Sequence, residues 1–331
     1  MIYRFSTLFL LLASCAAIPA QDLHFSQFYL HPLHYNPAQT GMFPGELRAS
    51  ALYRSQWTSV PVSYRTMAAA AEMKVVQRRS NRLSAGLLLQ HDRAGDAALT
   101  WTQLGFTAGV AHAIGPLHAV SAGFGLAFVQ RGFDISKLKF KNQWSGDIFD
   151  PSLPTKEAFN RSSGFSPSLS AGLNWRLAFP RTRTRLDAGA GMLHVNRPGI
   201  AFTDSPDEQL PMRLSFQVNS ALQLNEFLDL VVLGLVQRMG AAHEIIGGAG
   251  ARVWLAPRQT AVQLSLSARF GDALIPAVQI ERGNWTVGVS YDWNISAFDV
   301  ATAHRGGFEL GVVYQTIPVP PVKTFKSCPI F

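Results

Sequence analysis

Long apolar runs are missing from this 331-residue chain once its first twenty residues are passed. A membrane-spanning helix needs about 20 consecutive apolar residues, so no such helix is predicted in the remainder. Charged residues are also scarce, at 15% against about a quarter in ordinary soluble domains. Yet 47% of the residues are hydrophobic. Apolar residues that are abundant but spread out along the chain are typical of the strands of an outer-membrane barrel.

Cysteine is rarer still, with Cys15 and Cys328 as the whole complement. Two cysteines cannot build a metal cage, and the single one left after signal cleavage cannot form an internal disulfide. The nine histidines include no His-x-x-x-His pair of the zincin type, and no Gly-x-Ser-x-Gly nucleophile elbow occurs. We therefore predict no catalytic site, no cofactor and no metal. A barrel hydrolase is the less favoured alternative, because a Ser-His-Asp triad assembles from distant positions.

The first twenty residues have the form of an export signal. Arg4 is followed by the apolar stretch 5–12 and then by small residues up to Ala20, after which cleavage is expected. A bacterial lipobox with lipid on Cys15 is the other interpretation of the same residues. Removing residues 1–20 takes away one arginine and no acid, so the net charge falls from +8 to +7. That balance could favour anionic partners such as outer-membrane lipids, but a mixed, mildly basic surface explains it equally well.

Alternation of apolar and polar residues is clearest in the stretch 165–178, FSPSLSAGLNWRLA. Successive side chains of a strand point to opposite faces, so this stretch has one apolar face and one polar face. Phe165 and Trp175 lie on the apolar face ten residues apart, which is about 33 Å along a strand. At a tilt of about 40° the pair spans about 25 Å, the height of the apolar band of an outer-membrane barrel.

Similar alternation recurs along the chain, and it is less clear only at 62–75 and 227–238. The long connections, 131–164, 196–210 and 295–305, all fall at one end if the strands run up and down in turn. Short periplasmic turns and long outer loops are the usual asymmetry. We therefore predict an all-β, transmembrane antiparallel barrel of about fourteen strands with a periplasmic N-terminal segment or plug. The predicted strands are 47–57, 62–75, 83–92, 98–112, 117–130, 165–178, 184–195, 211–224, 227–238, 242–255, 261–270, 274–282, 284–294 and 306–316.

Several short motifs occur in order along the chain. They are FSQFY at 25–29, NPA at 36–38, YRSQW at 53–57, DRAG at 92–95, DALIP at 272–276, SYD at 290–292 and the terminal CPIF at 328–331. In this order they resemble the PorP/SprF family, outer-membrane proteins of the Bacteroidetes type IX secretion and gliding machinery. The resemblance implies a non-catalytic component that supports export or surface attachment of cargo proteins. It also implies contact with periplasmic ring lipoproteins or with a peptidoglycan-linked lipoprotein.

The resulting division of the chain is a signal peptide at 1–20, an N-terminal segment at 21–45, the barrel at 46–317 and a tail at 318–331. A passive, porin-like channel for small solutes is the alternative function.

The loop 131–164 carries Lys137, Lys139 and Lys141 close to Trp144. Basic residues among aromatics occur at nucleic-acid sites, but on a surface barrel we expect no nucleic acid. The loop is either an outer loop that folds over the mouth of the barrel or the site that contacts an exported cargo protein.

Two groups of side chains are candidates for function. The aromatic segment 21–45 is either a plug inside the barrel or a periplasmic docking surface, and exposed aromatic clusters are typical of the second. We expect a combination, with Phe25, Phe28 and Tyr29 packed on the barrel interior and a partner completing the seal. Inward-facing charges either attract anions or pair with one another to brace a filled lumen, and pairing is favoured because unpaired charges in a narrow lumen are costly. The possible partner-binding residues are Phe25, Gln27, Phe28, Tyr29, Asn36 and Pro37, and the possible lumen charges are Arg54, Arg176, Arg213, Arg269, Asp292 and Glu309.

Overall fold

Fourteen strands form one closed antiparallel barrel in the computed structural model of the chain. The structure describes residues 22–56, 64–95, 98–155, 162–199, 202, 209–256, 260–296 and 305–316; the expected signal peptide and the tail lie outside these ranges. The predicted fold class and strand number are confirmed. The strands are β1 Leu47–Gln56, β2 Tyr64–Gln77, β3 Asn81–Ala94, β4 Leu99–Ile114, β5 His118–Gly132, β6 Trp144–Ser145, β7 Ile148–Phe149, β8 Ser163–Ala178, β9 Arg185–Leu193, β10 Arg213–Gln223, β11 Leu228–Met239, β12 Ala242–Ala256, β13 Thr260–Arg269, β14 Ala273–Arg282, β15 Trp285–Asn294 and β16 Arg305–Gln315.

The barrel closes where β1 pairs with β16, and β6 and β7 form a separate small hairpin between β5 and β8. Closure leaves no free sheet edge, which hydrocarbon could not solvate. Five short 3₁₀ helices complete the described elements: η1 Phe28–Leu30, η2 Pro32–His34, η3 Pro37–Gln39, η4 Ile135–Lys137 and η5 Lys141–Gln143. None of the described helices is both long enough and apolar enough to cross a membrane.

The two ends of the barrel differ in the length of their connections. At the end where β1 begins, the connections 78–80, 115–117, 179–184, 224–227, 257–259 and 283–284 are short; we call it the turn end. The opposite end carries the long connections 133–162, 194–212 and 295–304, and we call it the loop end. In bacterial outer-membrane barrels short turns face the periplasm and long loops face outward.

The outer surface is apolar and rimmed by aromatic side chains. In β8, Phe165, Leu169 and Leu173 are exposed, while Ser168 and Asn174 on the other face are buried. The alternation seen in the sequence therefore points its apolar face outward, the reverse of a soluble barrel. Exposed aromatic residues lie near both ends, with Phe165, Phe270 and Trp293 toward the loop end and Trp175, Phe227 and Trp285 toward the turn end. Such girdles mark the two interfaces of a membrane.

Candidate functional site: a plugged lumen

Residues 22–46, which we call the plug, lie inside the barrel and cross it from end to end. Asp22 contacts Arg213 and His194 at the loop end, and Glu46 leads into β1 at the turn end. Between them the plug makes the short helices η1, η2 and η3. Pro32 and Pro37 each begin one of these helices, a position where the missing N–H of proline costs nothing. The prolines keep the segment from forming a longer helix.

Aromatic side chains form the apolar centre of the plug. Phe25, Phe28 and Tyr35 are 0%, 2% and 1% exposed. Phe28 and Tyr35 meet edge to face, with 6.1 Å between ring centroids, a favoured arrangement of aromatic pairs. These rings pack on inward-facing apolar residues of the wall, namely Leu52, Ala68, Val231, Leu233, Leu235, Ile246 and Val313.

A buried charge cluster holds the plug to the wall at Ser26. The Ser26 hydroxyl donates to Asp292 Oδ1 at 2.6 Å and accepts from Arg54 Nη1 at 2.6 Å. Arg269 Nη2 donates to the same hydroxyl at 2.8 Å. Arg54 also pairs with Asp292 at 2.6 Å and with Glu309 at 3.0 Å. All five residues are buried, so the cluster has little competition from water, and charge-assisted hydrogen bonds are strong there.

Glu309 binds the plug backbone directly. Its two carboxylate oxygens accept from the N–H groups of Ser26 at 2.8 Å and Gln27 at 2.7 Å. The Gln27 side chain donates to the main-chain carbonyl of Glu309 at 3.2 Å. Two backbone donors in an irregular segment thereby gain partners that they could not find within the segment itself.

Asp22 anchors the loop end of the plug. Its carboxylate forms an ion pair with Arg213, with 2.8 Å between Oδ2 and Nη1, and Oδ2 also lies 3.0 Å from His194 Nε2. Burial would raise the pKa of Asp22, but Arg213 and His194 outweigh it and hold that pKa well below its usual range. Leu23 beside it packs on an apolar cluster of the wall at the loop end, formed by Trp101, Val129, Leu210 and Met239.

His31 and His34 form hydrogen bonds between the plug and the wall. His34 Nδ1 lies 3.1 Å from the side-chain oxygen of Gln90, a residue of β3. His31 Nδ1 lies 3.2 Å from Ser50 Oγ of β1. Both rings are buried. They therefore serve as hydrogen-bonding spacers that set the distance between the plug and these two strands.

Wall side chains also bind carbonyl groups along the plug. Arg48 Nη2 donates to the Leu30 carbonyl at 2.8 Å, and Ser121 Oγ donates to the Ala38 carbonyl at 2.7 Å. Further bonds of this kind join Arg213 Nη2 to the His34 carbonyl and Ser215 Oγ to the Tyr35 carbonyl. The barrel thus satisfies the irregular backbone of the plug. Non-helical backbone at membrane depth is tolerated only where the surrounding protein or enclosed water pairs with it in this way.

Wall glycines let the plug approach the strands closely. A β-carbon added at Gly123 would overlap the carbonyl group of Pro37, and one added at Gly191 would overlap the carbonyl oxygen of Tyr35. Glycine commonly stands where a second backbone approaches a strand this closely. The wall is therefore shaped to receive this segment.

The candidate residues for partner binding lie within the lumen. The five that are buried are Phe25, Gln27, Phe28, Asn36 and Pro37, and Tyr29 is half-buried. In this position the five buried side chains contact the barrel and present no free surface. A role for the six in binding a partner stays a prediction.

Each of the predicted lumen arginines faces inward and has a carboxylate partner. Arg54 and Arg269 share Asp292, at 2.6 and 2.8 Å. Two further pairs are Arg176 with Asp187, at 2.6 Å, and Arg213 with Asp22 of the plug. The interior also contains the pairs Arg48 with Glu72, Arg252 with Glu281 and Arg269 with Glu244. Most of these charges brace the wall or hold the plug.

Sequence reasoning missed Asp22, Ser26 and His34 as anchors. Asp22 and Ser26 lie in a stretch without periodicity, so no pattern separates them from ordinary loop residues. Glu72, which accepts from the Gly41 N–H at 2.9 Å, lies in a strand whose alternation is weak. Among the described residues no group of three or more His, Cys, Asp or Glu could hold a metal ion.

The loop end carries the exposed hairpin β6–β7. Ile148 is 73% exposed and Trp144 is 46% exposed. Trp144 pairs with Phe149 across the hairpin, and Lys139 Nζ lies 5.3 Å from the centre of the Phe149 ring. The hairpin therefore presents apolar and cationic groups together at this end of the barrel.

A closed, aromatic-girdled barrel with a filled lumen defines an outer-membrane-type barrel protein. The family model for type IX secretion system membrane protein PorP/SprF matches residues 17–314. The chain belongs to the PorP/SprF family, as the ordered motifs indicated. The family and the fold together support an outer-membrane location.

Solved structures with a similar fold are other outer-membrane barrels. The toluene transporter TodX of Pseudomonas putida is 9% identical, with a TM-score of 0.50 over 88% of this chain and 94% of that chain. A FadL homologue of Pseudomonas aeruginosa is 11% identical, with a TM-score of 0.47 over 85% of this chain and 92% of that chain. At these identities the likeness concerns the fold alone. Comparison with curated protein sequences gave no match.

Proposed function

We propose that this protein is a non-catalytic, closed barrel of the type IX secretion or gliding machinery, which holds cargo and machinery together across the outer membrane. The observation that carries the proposal is the plug. Its aromatic residues and buried ion pairs occupy the lumen where a solute channel would need water. Because the lumen is filled, the surfaces that remain for binding other proteins are the two ends of the barrel.

Cargo contact is assigned to the loop end. The hairpin β6–β7 exposes Trp144 and Ile148, and exposed apolar groups of this kind mark contact sites. Cationic side chains in the same loop, Lys137, Lys139 and Lys141, would favour cargo with acidic groups. The turn end, by the usual orientation, meets periplasmic ring lipoproteins or a peptidoglycan-linked lipoprotein.

Deletion of the gene tests the proposal in cells. We expect particular proteins to disappear from the cell surface and the medium, measured by quantitative mass spectrometry, while uptake of small hydrophilic solutes stays unchanged. Intact secretion combined with reduced solute uptake would contradict the proposal and support a passive channel.

A double substitution of the hairpin, Trp144→Ser with Ile148→Ser, tests the cargo surface in the same strain. We expect the barrel to reach the membrane in normal amount while secretion of its cargo falls. Ile135→Ser is the matched control, because Ile135 is 44% exposed in the same loop but outside the hairpin. Equal loss of secretion with the control, or none with the double variant, would rule out the hairpin as the contact.

A further inference from the structure

A cavity of about 840 Å³ opens at the turn end beside the last residues of the plug. Phe43, Pro44 and Glu46 line it from the plug side, and β2, β3 and β8 with the turn 115–117 line it from the wall. Ligand sites in proteins typically occupy about 300–1,000 Å³, so the cavity is large enough for a segment of several residues. A second cavity of about 350 Å³ shares Phe43 and Pro44 with the first.

The charges around the larger cavity are unbalanced. Its lining contains Lys74, Arg82 and Arg176 but, as a carboxylate, Glu46 alone. Arg176 is compensated, because its Nε lies 2.6 Å from Asp187. Lys74 instead donates to the carbonyl oxygen of Phe43 at 2.7 Å.

Arg82 stands out among these cations. In the described part of the chain it has no ion pair and no side-chain hydrogen bond, whereas the interior arginines at the plug all have carboxylate partners. Arg176 acts on it as a like charge. A guanidinium in a half-buried site with a like charge nearby favours an incoming anion.

Apart from Glu46 in the lining, and Asp187 and Glu72, which pair with Arg176 and Arg48, the neighbouring parts of the chain add positive charge. Residues 317–331 follow Thr316, which lines the cavity, and they contain no Asp or Glu but two lysines. The rim adds Arg78 and Arg79 in one turn and Arg181 in another, all exposed. The positive potential of this end would steer an acidic partner toward the opening.

We propose that this cavity binds an acidic, extended segment of a periplasmic partner protein, whose carboxylates pair with Arg82 and Lys74. The proposal rests on the proposed function, in which the turn end meets the machinery. The strands beside the cavity are paired, β2 to β3 with one irregularity between Lys74 and Val76 and β3 to β4 without interruption, and the route to the cavity for a ligand runs along the barrel axis. The fork of Arg82 matches a carboxylate in geometry.

Binding of fluorescent hexaglutamate to the purified full-length barrel tests this proposal. The protein is placed in zwitterionic lipid nanodiscs and titrated by fluorescence anisotropy, with hexaglutamine as the uncharged probe. We expect hexaglutamate to bind and hexaglutamine not to bind. Arg82→Gln should weaken binding by about tenfold or more, the loss expected for one charge-assisted pair. Arg79→Gln removes the same charge from the rim and should change the affinity by no more than about twofold.

Absence of hexaglutamate binding, or equal weakening by Arg79→Gln, would overturn the proposal in favour of a diffuse basic rim. The same titration in nanodiscs that contain anionic lipid tests whether lipid head groups occupy the site. If that lipid abolishes binding to the wild-type protein, the site belongs to lipid head groups and the proposal fails. None of these results depends on whether the barrel conducts, so failure here is distinct from failure of the proposed function.

Discussion

At the residue scale, the structure depends on a few side chains that are charged, buried and mutually satisfied. Removing one partner of a buried pair leaves an uncompensated charge, which costs far more than the pair contributes when intact. The sequence predicted that Arg54, Arg269 and Asp292 face the lumen, because alternation along a strand fixes which face a residue occupies. The sequence did not predict that all three side chains contact Ser26, because that contact depends on the path of an irregular segment.

Glu309→Gln tests the charge cluster. The change leaves Arg54 with one carboxylate and removes a charged acceptor from the Ser26 and Gln27 N–H groups. We expect the free energy of unfolding to fall by about 3 kcal/mol, measured by urea titration in lipid vesicles. Glu281→Gln is the control, since Glu281 is more exposed and lies 3.8 Å from Arg252; it should cost less than about 1 kcal/mol. Equal effects of the two changes would contradict the assigned role of the cluster.

Asp22→Asn tests the anchor at the loop end of the plug. The change leaves the buried guanidinium of Arg213 without its carboxylate partner, so we expect seating of the plug to weaken by about 3 kcal/mol. Hydrogen–deuterium exchange should become faster in the first half of the plug, with little change in the strands.

Glu46→Gln is the control for this change, because it removes the same charge from an exposed residue at the other end of the plug. It should leave the exchange of residues 22–34 as it is in the wild-type protein. Unchanged exchange in the Asp22 variant would show that this carboxylate does not hold the plug.

At the element scale, the strands were predictable and the plug was only partly so. All fourteen barrel strands match predicted segments, because alternation sustained along a whole segment is a strong signal. The two weak segments have a physical explanation. In β2 the side chains of Ala68 and Ala70 face inward, and in β11 those of Val231, Leu233 and Leu235 do so. Because the inward-facing side chains of these two strands are small or apolar, the alternation of apolar and polar residues is lost there.

Gly123→Ala tests whether the wall is shaped for the plug. The new methyl group would overlap the Pro37 carbonyl, and overpacking of this kind costs about 1–3 kcal/mol. We expect faster hydrogen exchange in residues 22–46 and little change in the strands. Gly105→Ala is the matched control, because its added carbon would lie 3.5 Å from Ala127 Cβ, an ordinary contact. Unchanged exchange in the Gly123 variant would indicate that the plug does not seat as described.

The direction of the plug makes a separate prediction about topology. Asp22 lies at the loop end and Glu46 at the turn end, so Asp22 should face the outer side of the membrane. A short epitope inserted directly before Asp22 should be labelled by antibody on intact cells. The same epitope inserted after Thr316, at the turn end, should be labelled only in permeabilised cells. The opposite pattern would reverse the assigned orientation.

At the scale of the whole molecule, composition and alternation were sufficient to predict a membrane barrel and its strand number. The closed barrel leaves register and pairing to be fixed jointly by all strands, which is why no single segment predicted which arginine meets which acid. The conformation of the plug could not be predicted in detail. Residues 22–46 have no periodicity, and most of their side-chain hydrogen bonds are to strands far away in sequence.

Single-channel conductance in planar bilayers tests the closed lumen most directly. We predict that the purified full-length protein gives no stable conductance under conditions in which an open porin conducts. Gly123→Ala combined with Glu309→Gln, which should unseat the plug while leaving the strands paired, should produce channel openings. Steady conductance of the wild-type barrel, equal to that of the double variant, would contradict the central claim that the plug closes the lumen.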